Sequence, residues 1–509
     1  MRACDLFLAI HTVPGRLDRL APAGAPMDPN LAYRSPLQTR YATPEMLAVW
    51  SPQRKFSTWR RLWLALAQAQ YELGLNVTRQ QLDELASNLD NIDFDAAAKY
   101  EAQLHHDVMA HIHALGDVAP NAKPIIHLGA TSQFVVCNTE LILLRESLGL
   151  IAAKLAKTID AWAEFARRYR DVPTLGFTHF QPAQPTTVGK RATLWAYDLA
   201  IALADIEHRS ATLRFRGVKG ATGTQASFLN LFDGDHDKVE QLDELVTQKM
   251  GWPPAQRYVV TGQTYPRLVD AQVVGSLAVV AAAIHKCCND IRLLANRKEI
   301  EEPFGESQIG SSAMPYKRNP MLCERATGLA RFVMAMPANA LNTAATQWFE
   351  RTLDDSANRR LTLPESFLAL DGALAVMNKV ASGLVVYEQT IGTNLLAELP
   401  FIASENILMA AVKAGADRQE AHEVLRRHSH AAGQRVKAEG KPNDLLDRLR
   451  REPMFAAVDL DAVLEPTAYI GRAPQQVDAF IEQVVQPIRD RYADTADDPM
   501  PSGTPARCR

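Results

Sequence analysis

Apolar residues recur along the chain at helical steps, and the length of the repeats changes part-way. Between Thr43 and about Ala130 the pattern is helical with short breaks, and Phe56, Trp59, Leu62, Leu66 and Ala69 fall on one face. Beyond it, Leu141, Leu144, Leu148, Ile151, Leu155, Ile159 and Trp162 are spaced by threes and fours, averaging about 3.5 residues as in a coiled-coil seam. A second long stripe, over 188–214, carries Trp195, Leu199, Ala202, Ile206 and Leu213. A third, over 267–296, carries Val269, Val273, Leu277, Val280, Ile284 and Ile291. Two more are predicted over 320–346 and 357–384, the last interrupted at Pro364. Helices near 30 residues are about 45 Å long at about 1.5 Å per residue. Several together predict an all-α fold with an elongated central bundle. Strand signals are few. The apolar stripes are wide, which predicts that subunits pack helix against helix. From about Val386, shorter helices broken by Gly392, Pro400, Gly415, Gly440 and Pro442 predict a separate C-terminal helical domain.

The expected division is therefore a helical domain over 27–131, the long-helix bundle over 132–386 and a C-terminal domain over 387–492. Residues 1–26, with Pro14, Pro22 and Pro26, and residues 493–509, with Pro499, Pro501 and Pro505, read as disordered ends. The change of character at Met27 leaves either start, Met1 or Met27, open.

Composition narrows the function classes. The 509 residues are 47% hydrophobic, enough for a large core. A net charge of −3 gives no basic field for nucleic acid. Six scattered cysteines form no CxxC framework and read as reduced cytosolic thiols. The most apolar run, Val273 to Ile284, is shorter than the about 20 residues that span a bilayer. The expectation is a cytoplasmic protein.

Candidate chemistry is concentrated in Gly310-Ser311-Ser312-Ala313-Met314-Pro315-Tyr316-Lys317-Arg318-Asn319-Pro320, a polar loop between long helical patterns, with Gly305 and Gly310 ahead of the serines. It can also be read as an ordinary inter-helix connection with Ser311 as an N-cap. A second candidate is His179, in Phe177-Thr178-His179-Phe180-Gln181-Pro182, a polar turn between two long helices. Histidine can donate a proton near neutral pH, although a lone histidine is more often structural. A third is the cluster His105, His106, Asp107, His111 and His113. Its spacing argues against a metal site, because His111 and His113 leave a helix on different sides. Gly217 to Gly223 is glycine-rich but lacks nucleotide-loop spacing, and so does Val188-Gly-Lys-Arg191.

The 310–320 loop resembles the signature of the fumarase/aspartase superfamily, Gly-Ser-Ser-x-Met-Pro-x-Lys-x-Asn. Its flanks are most similar to the adenylosuccinate lyases, in the form typical of animals. The similarity runs from about Tyr33 to about Val485 and includes Thr174 to Gln184 and Trp348 to Arg360. The resemblance implies β-elimination of fumarate from adenylosuccinate and from the carboxamide ribotide SAICAR, without metal or organic cofactor. It implies Ser311 as base, His179 as acid with Thr178 beside it, and Lys317 and Asn319 on a substrate carboxylate. His106 supports the catalytic histidine or contacts substrate, accompanied by Asp107. His105 stands where an Arg is usual. Thr131 and Ser132 match a second carboxylate-binding loop. Arg40, Tyr41, Arg325, Arg351 and Ser356 match positions for phosphate and ribose, and Gln263 a position near the base. Cys137 departs from the family, which usually has Asp there. The resemblance also implies a homotetramer in which three subunits build each site. Another lyase of the superfamily, such as argininosuccinate lyase, and a non-catalytic protein on this fold remain alternatives.

Overall fold

The structure, a computed structural model, describes residues 31–305 and 307–493. The two ends expected to be disordered lie outside the described residues, except for Ala493.

A π-helical turn, Leu37–Tyr41, leads into helices α1 (Pro44–Val49), α2 (Pro52–Glu72), α3 (Arg79–Ser87), α4 (Phe94–Leu104) and α5 (Asp107–Val118). Local chemistry marks their starts. Thr78 and Gln81 form a capping box on α3, and Asp93 caps α4. Then comes α6 (Ser132–Arg168), whose 37 residues extend about 55 Å. All seven residues of its predicted seam, Leu141 to Trp162, are fully buried.

A hairpin, β1 (Pro173–Thr178) and β2 (Gln181–Thr187), follows α6. The sequence pattern predicted only a polar turn here. Pro182 and Pro185 hide the strand, yet a two-stranded ribbon leaves every residue at an edge, where proline is tolerated. Next are α7 (Val188–Thr212), α8 (Ala226–Leu231), α9 (His236–Lys249) and α10 (Leu268–Asn296). By length and composition α10 could cross a bilayer, but Val273, Leu277, Val280 and Ile284 are fully buried against α7 and its other bundle neighbours.

A short strand, β3 (Ile300–Glu301), precedes the polar loop, and α11 (Met321–Ala345) and α12 (Asp354–Gly383) complete the bundle. Pro364 lies inside α12 without interrupting it. The carbonyl that the proline leaves unbonded belongs to Arg360, on the exposed face, where water can take it. Strand β4 (Val385–Val386) pairs with β3.

The remaining helices are α13 (Glu388–Ile402), α14 (Ser404–Lys413), α15 (Arg418–Glu439), α16 (Leu445–Leu449), α17 (Ala473–Phe480) and α18 (Gln486–Arg491). Gly392 sits within α13 rather than ending it; α13 and α14 instead bend by 52° just past Pro400. A second small core, including Ile407, Leu425, Leu449 and Phe455, joins α14, α15 and α16, whereas α17 returns to pack on α7 and α6.

The long helices set the spacing of the candidate groups. Thr131 stands at the N-terminal boundary of α6 without a side-chain capping bond, and the hairpin follows the other end of the helix. The Arg297 guanidinium, just past α10, lies 4.8 Å over the Phe177 ring of β1. Pro303 lies against Gly383, at the end of α12. The hairpin and the polar loop therefore share one end of the bundle, and Thr131 occupies the other.

Candidate active site

At the Thr131 end, a cavity of about 1060 Å³ opens between α5, α6 and the start of α12. Eight of the sequence-predicted residues line it: His105, His106, Asp107, Thr131, Ser132, Gln263, Arg351 and Ser356. Three helix N-termini meet there. That of α5 is capped by His106, while α6 and α12 have no side-chain cap. Free N–H groups and the positive ends of helix dipoles make this a place for anions.

His106 Nδ1 accepts the Met109 N–H at 3.3 Å, so a neutral ring carries its proton on Nε2, 3.2 Å from Ser132 Oγ. His105 ends α4 in the left-handed region at φ 50°. Burial opposes ionisation of Asp107, but Arg360, bonded at 3.0 Å, and Lys55 nearby hold its carboxyl below the usual carboxylate range. The Arg351 guanidinium donates to Gln263 Oε1 at 3.1 Å and meets Asp355 at 3.5 Å. The other two histidines of the cluster are stacked. His111 lies 3.7 Å from the Phe56 ring and His113 5.1 Å from Tyr100.

At the far end, Ser311 Oγ accepts two backbone N–H groups, from Ala313 at 3.3 Å and Met314 at 3.1 Å. Such donors favour the oxyanion over the hydroxyl. At the N-terminus of the following helix, α11, Glu302 accepts the N–H groups of Leu322 and Cys323 at 2.8 and 3.0 Å. Asn319 Nδ2 donates to the Gly310 carbonyl at 2.8 Å, closing the loop on itself. Gly310 is required there, since a Cβ would collide with the Lys317 carbonyl. Lys317 is exposed, and Arg325 stands half-buried on the second turn of α11.

His179 and Phe180 form the tip of the β1–β2 hairpin. Both have positive φ, 53° and 56°, in a turn that usually prefers Asn or Gly. Thr178 and His179 are exposed. Arg40 and Tyr41 lie elsewhere, beside the middle of α12, where the Tyr41 carbonyl approaches Gly372 and Asp371 accepts the Thr43 N–H at 2.6 Å. One chain thus brings eight of the sixteen predicted residues into the cavity and leaves the other eight outside it.

Residues 42–335 match the family described as Lyase, and residues 400–480 match Adenylosuccinate lyase C-terminus. Adenylosuccinate lyase of Saccharomyces cerevisiae is 52% identical over 459 residues, which is 89% of this chain and 95% of that protein. That of Schistosoma mansoni is 47% identical over 472 residues, 92% of this chain and 98% of that protein. The chain belongs to the adenylosuccinate lyase family. Its fold is also that of 3-carboxy-cis,cis-muconate lactonizing enzyme from Pseudomonas putida, with a TM-score of 0.75 at 25% identity over 89% of this chain and 99% of that one.

Sequence reasoning missed four polar residues that line the cavity of this lyase: Glu101, Gln133, Asp354 and Arg360. Arg360 closes the matched run Trp348 to Arg360 and could have been found by helical spacing, one turn beyond Ser356. Gln133 carried no signal, because only the tertiary approach of Arg351 gives it a partner.

Proposed function

We propose that this member of the adenylosuccinate lyases cleaves adenylosuccinate to AMP and fumarate, and SAICAR to AICAR and fumarate. The observation that carries the reading is the cavity, where eight of the family's site positions meet the free N-termini of two long helices. A dianionic succinyl group and a phosphate both suit it.

In the proposed reaction Ser311, as an oxyanion held by the N–H groups of Ala313 and Met314, takes the proton beside a carboxylate. Lys317 and Asn319 hold that carboxylate and stabilise the charge that develops. His179, with Thr178 beside it, protonates the departing nitrogen. His106 donates through Nε2, and Thr131 and Ser132 take the second carboxylate. Arg40, Tyr41, Arg325, Arg351 and Ser356 bind phosphate and ribose, Gln263 lies near the base, and His105 and Asp107 contact substrate beside His106. No step passes through a metal or an organic cofactor.

Ser311, Lys317 and His179 lie at the opposite end of the bundle from the cavity, across helices of 25 to 37 residues that are about 38–55 Å long, so the proposed unit is a homotetramer whose sites take residues from three subunits. Exposed apolar side chains support it: Leu194, Tyr197 and Ile201 on one face of α7, and Val259, Val260 and Phe349 near Gln263 and Arg351. We retain the division at 27–131, 132–386 and 387–492 as part of the proposal. A cytosolic location is proposed from the buried free thiols of Cys137, Cys287, Cys288 and Cys323.

The test is fumarate release from adenylosuccinate and from argininosuccinate, in EDTA, by the wild type and by Ser311→Ala. Activity on adenylosuccinate alone, lost by at least about a hundredfold in an intact Ser311→Ala protein, is expected. Turnover of neither substrate would overturn the activity, and unchanged turnover in the variant would remove Ser311 from it.

A further inference from the structure

The cavity floor has an unusual charge count. Arg351 lines the cavity; Arg267 shares a carboxylate with Arg351, and Arg216 donates to the Gly262 carbonyl next to the lining residue Gln263. Arg267 and Arg351 share one carboxylate, Asp355, which is fully buried and bonded to Arg267 Nε at 2.8 Å. Arg216 is also fully buried and makes no direct ion pair among the described residues; the charge of Asp243 acts on it from further off, and that carboxylate is already paired with Lys219 and Arg257. Its Nη2 reaches only the carbonyls of Gly220 and Gly262. Four buried nitrogens of these guanidiniums have no acceptor: Arg216 Nε and Nη1, Arg267 Nη1 and Arg351 Nε. Unpaired buried donors are costly, so the arrangement favours an arriving anion.

Two residues on the first turns of α6 keep the count positive. Gln133 is one turn from Cys137 and is buried at the cavity wall. With its carboxamide oxygen turned to Arg351, Oε1 accepts from Nη1 at 2.8 Å and Nη2 at 3.2 Å. The amide nitrogen then faces the Cys137 sulfur, 3.2 Å from that end of the carboxamide, and Arg267 Nη2 approaches the same sulfur at 3.9 Å. A carboxylate at position 137, which the family resemblance leads one to expect, would pair with Arg267. The thiol supplies no such counter-ion.

We propose that Gln133, backed by Cys137, is a positioning residue that aims the Arg351 guanidinium at the cavity without neutralising it. The pair thereby sets the affinity of the site for the phosphate of its substrate. The carboxamide fixes the plane of the fork, and the missing carboxylate leaves the excess positive charge for the ligand. The inference rests on the proposed nucleotide-cleaving activity.

The experiment compares wild type, Gln133→Leu, Gln133→Glu, Cys137→Ser and Cys137→Asp. It reads KM and kcat for adenylosuccinate, and thermal stabilisation by AMP and by inorganic phosphate. Gln133→Leu and Gln133→Glu should raise KM by about tenfold or more and weaken stabilisation by AMP, with kcat changed by less than about threefold. Cys137→Asp should raise KM and stabilise the unliganded protein, while Cys137→Ser stays near wild type. An unchanged KM in both Gln133 variants overturns the inference, as does equal behaviour of Cys137→Ser and Cys137→Asp. Should the Gln133 variants fail to fold, the two Cys137 variants decide alone. Should the wild type not cleave adenylosuccinate, the activity falls, and the ranking of the variants in phosphate stabilisation still tests the positioning role.

Discussion

His111 and His127 show what burial does to one side chain. Each is pushed down to about 4, by desolvation first, then by the charges of Lys55 and Arg60 on His111 and of His106 on His127. In the unfolded chain both return to about 6.5. The unfolded state then binds the extra protons, so stability is lost as pH falls from about 6.5 towards about 4, by up to about 3 kcal/mol for each ring. Urea denaturation between about pH 7.5 and pH 5 should show this loss. His127→Gln keeps an acceptor for Trp63 Nε1, bonded to His127 Nδ1 at 2.9 Å, and should flatten the slope. An identical slope would assign the loss to other groups. At this scale residue type and motif in the sequence offered candidates for the chemistry, including Ser311, His106 and Arg351. It did not mark Gln133, whose partner Arg351 comes from a distant part of the chain.

One element whose behaviour depends on a distant residue is α11. Its N-cap, Pro320, offers no side-chain oxygen, and Glu302 fills the role from across the polar loop. That carboxylate is 6% exposed, and burial raises its pKa despite the two backbone bonds. It ties the end of β3 to the start of α11, closing the base of the 303–320 segment that carries Ser311. Glu302→Ala should cost about 1–3 kcal/mol in urea denaturation, from the helix N–H groups left without acceptors. A loss within about 0.5 kcal/mol would show that solvent replaces the carboxylate. The helices themselves were legible in the sequence. The predicted seams of α6, α7 and α10 are buried almost residue for residue, since a period near 3.6 admits one apolar face. Pro364 and Gly392 misled, as packing can hold a helix through a residue that would weaken it in isolation. The β1–β2 hairpin was hidden for the opposite reason, because a two-stranded edge needs little strand propensity.

Across the whole molecule, the separation of Ser311 and His179 from the Thr131 cavity is the fact to be explained. Helices of fixed rise cannot bring their two ends together, so the proposed tetramer must supply the missing residues from neighbours. Mixing inactive His179→Ala and Ser311→Ala proteins, after dissociation and reassembly, should restore part of the fumarate-releasing activity. No recovery from mixed tetramers would mean that both groups serve a site within one subunit. The sequence by itself determined the all-α class, the long apolar seams, the family and the types of residue at its motifs, since these depend on local spacing and on side-chain identity. Only the tertiary structure decided which motifs share a cavity, which helix ends face it and how many guanidiniums share Asp355. Those relations join residues as far apart in the chain as Gln133 and Arg351, and no local period encodes them.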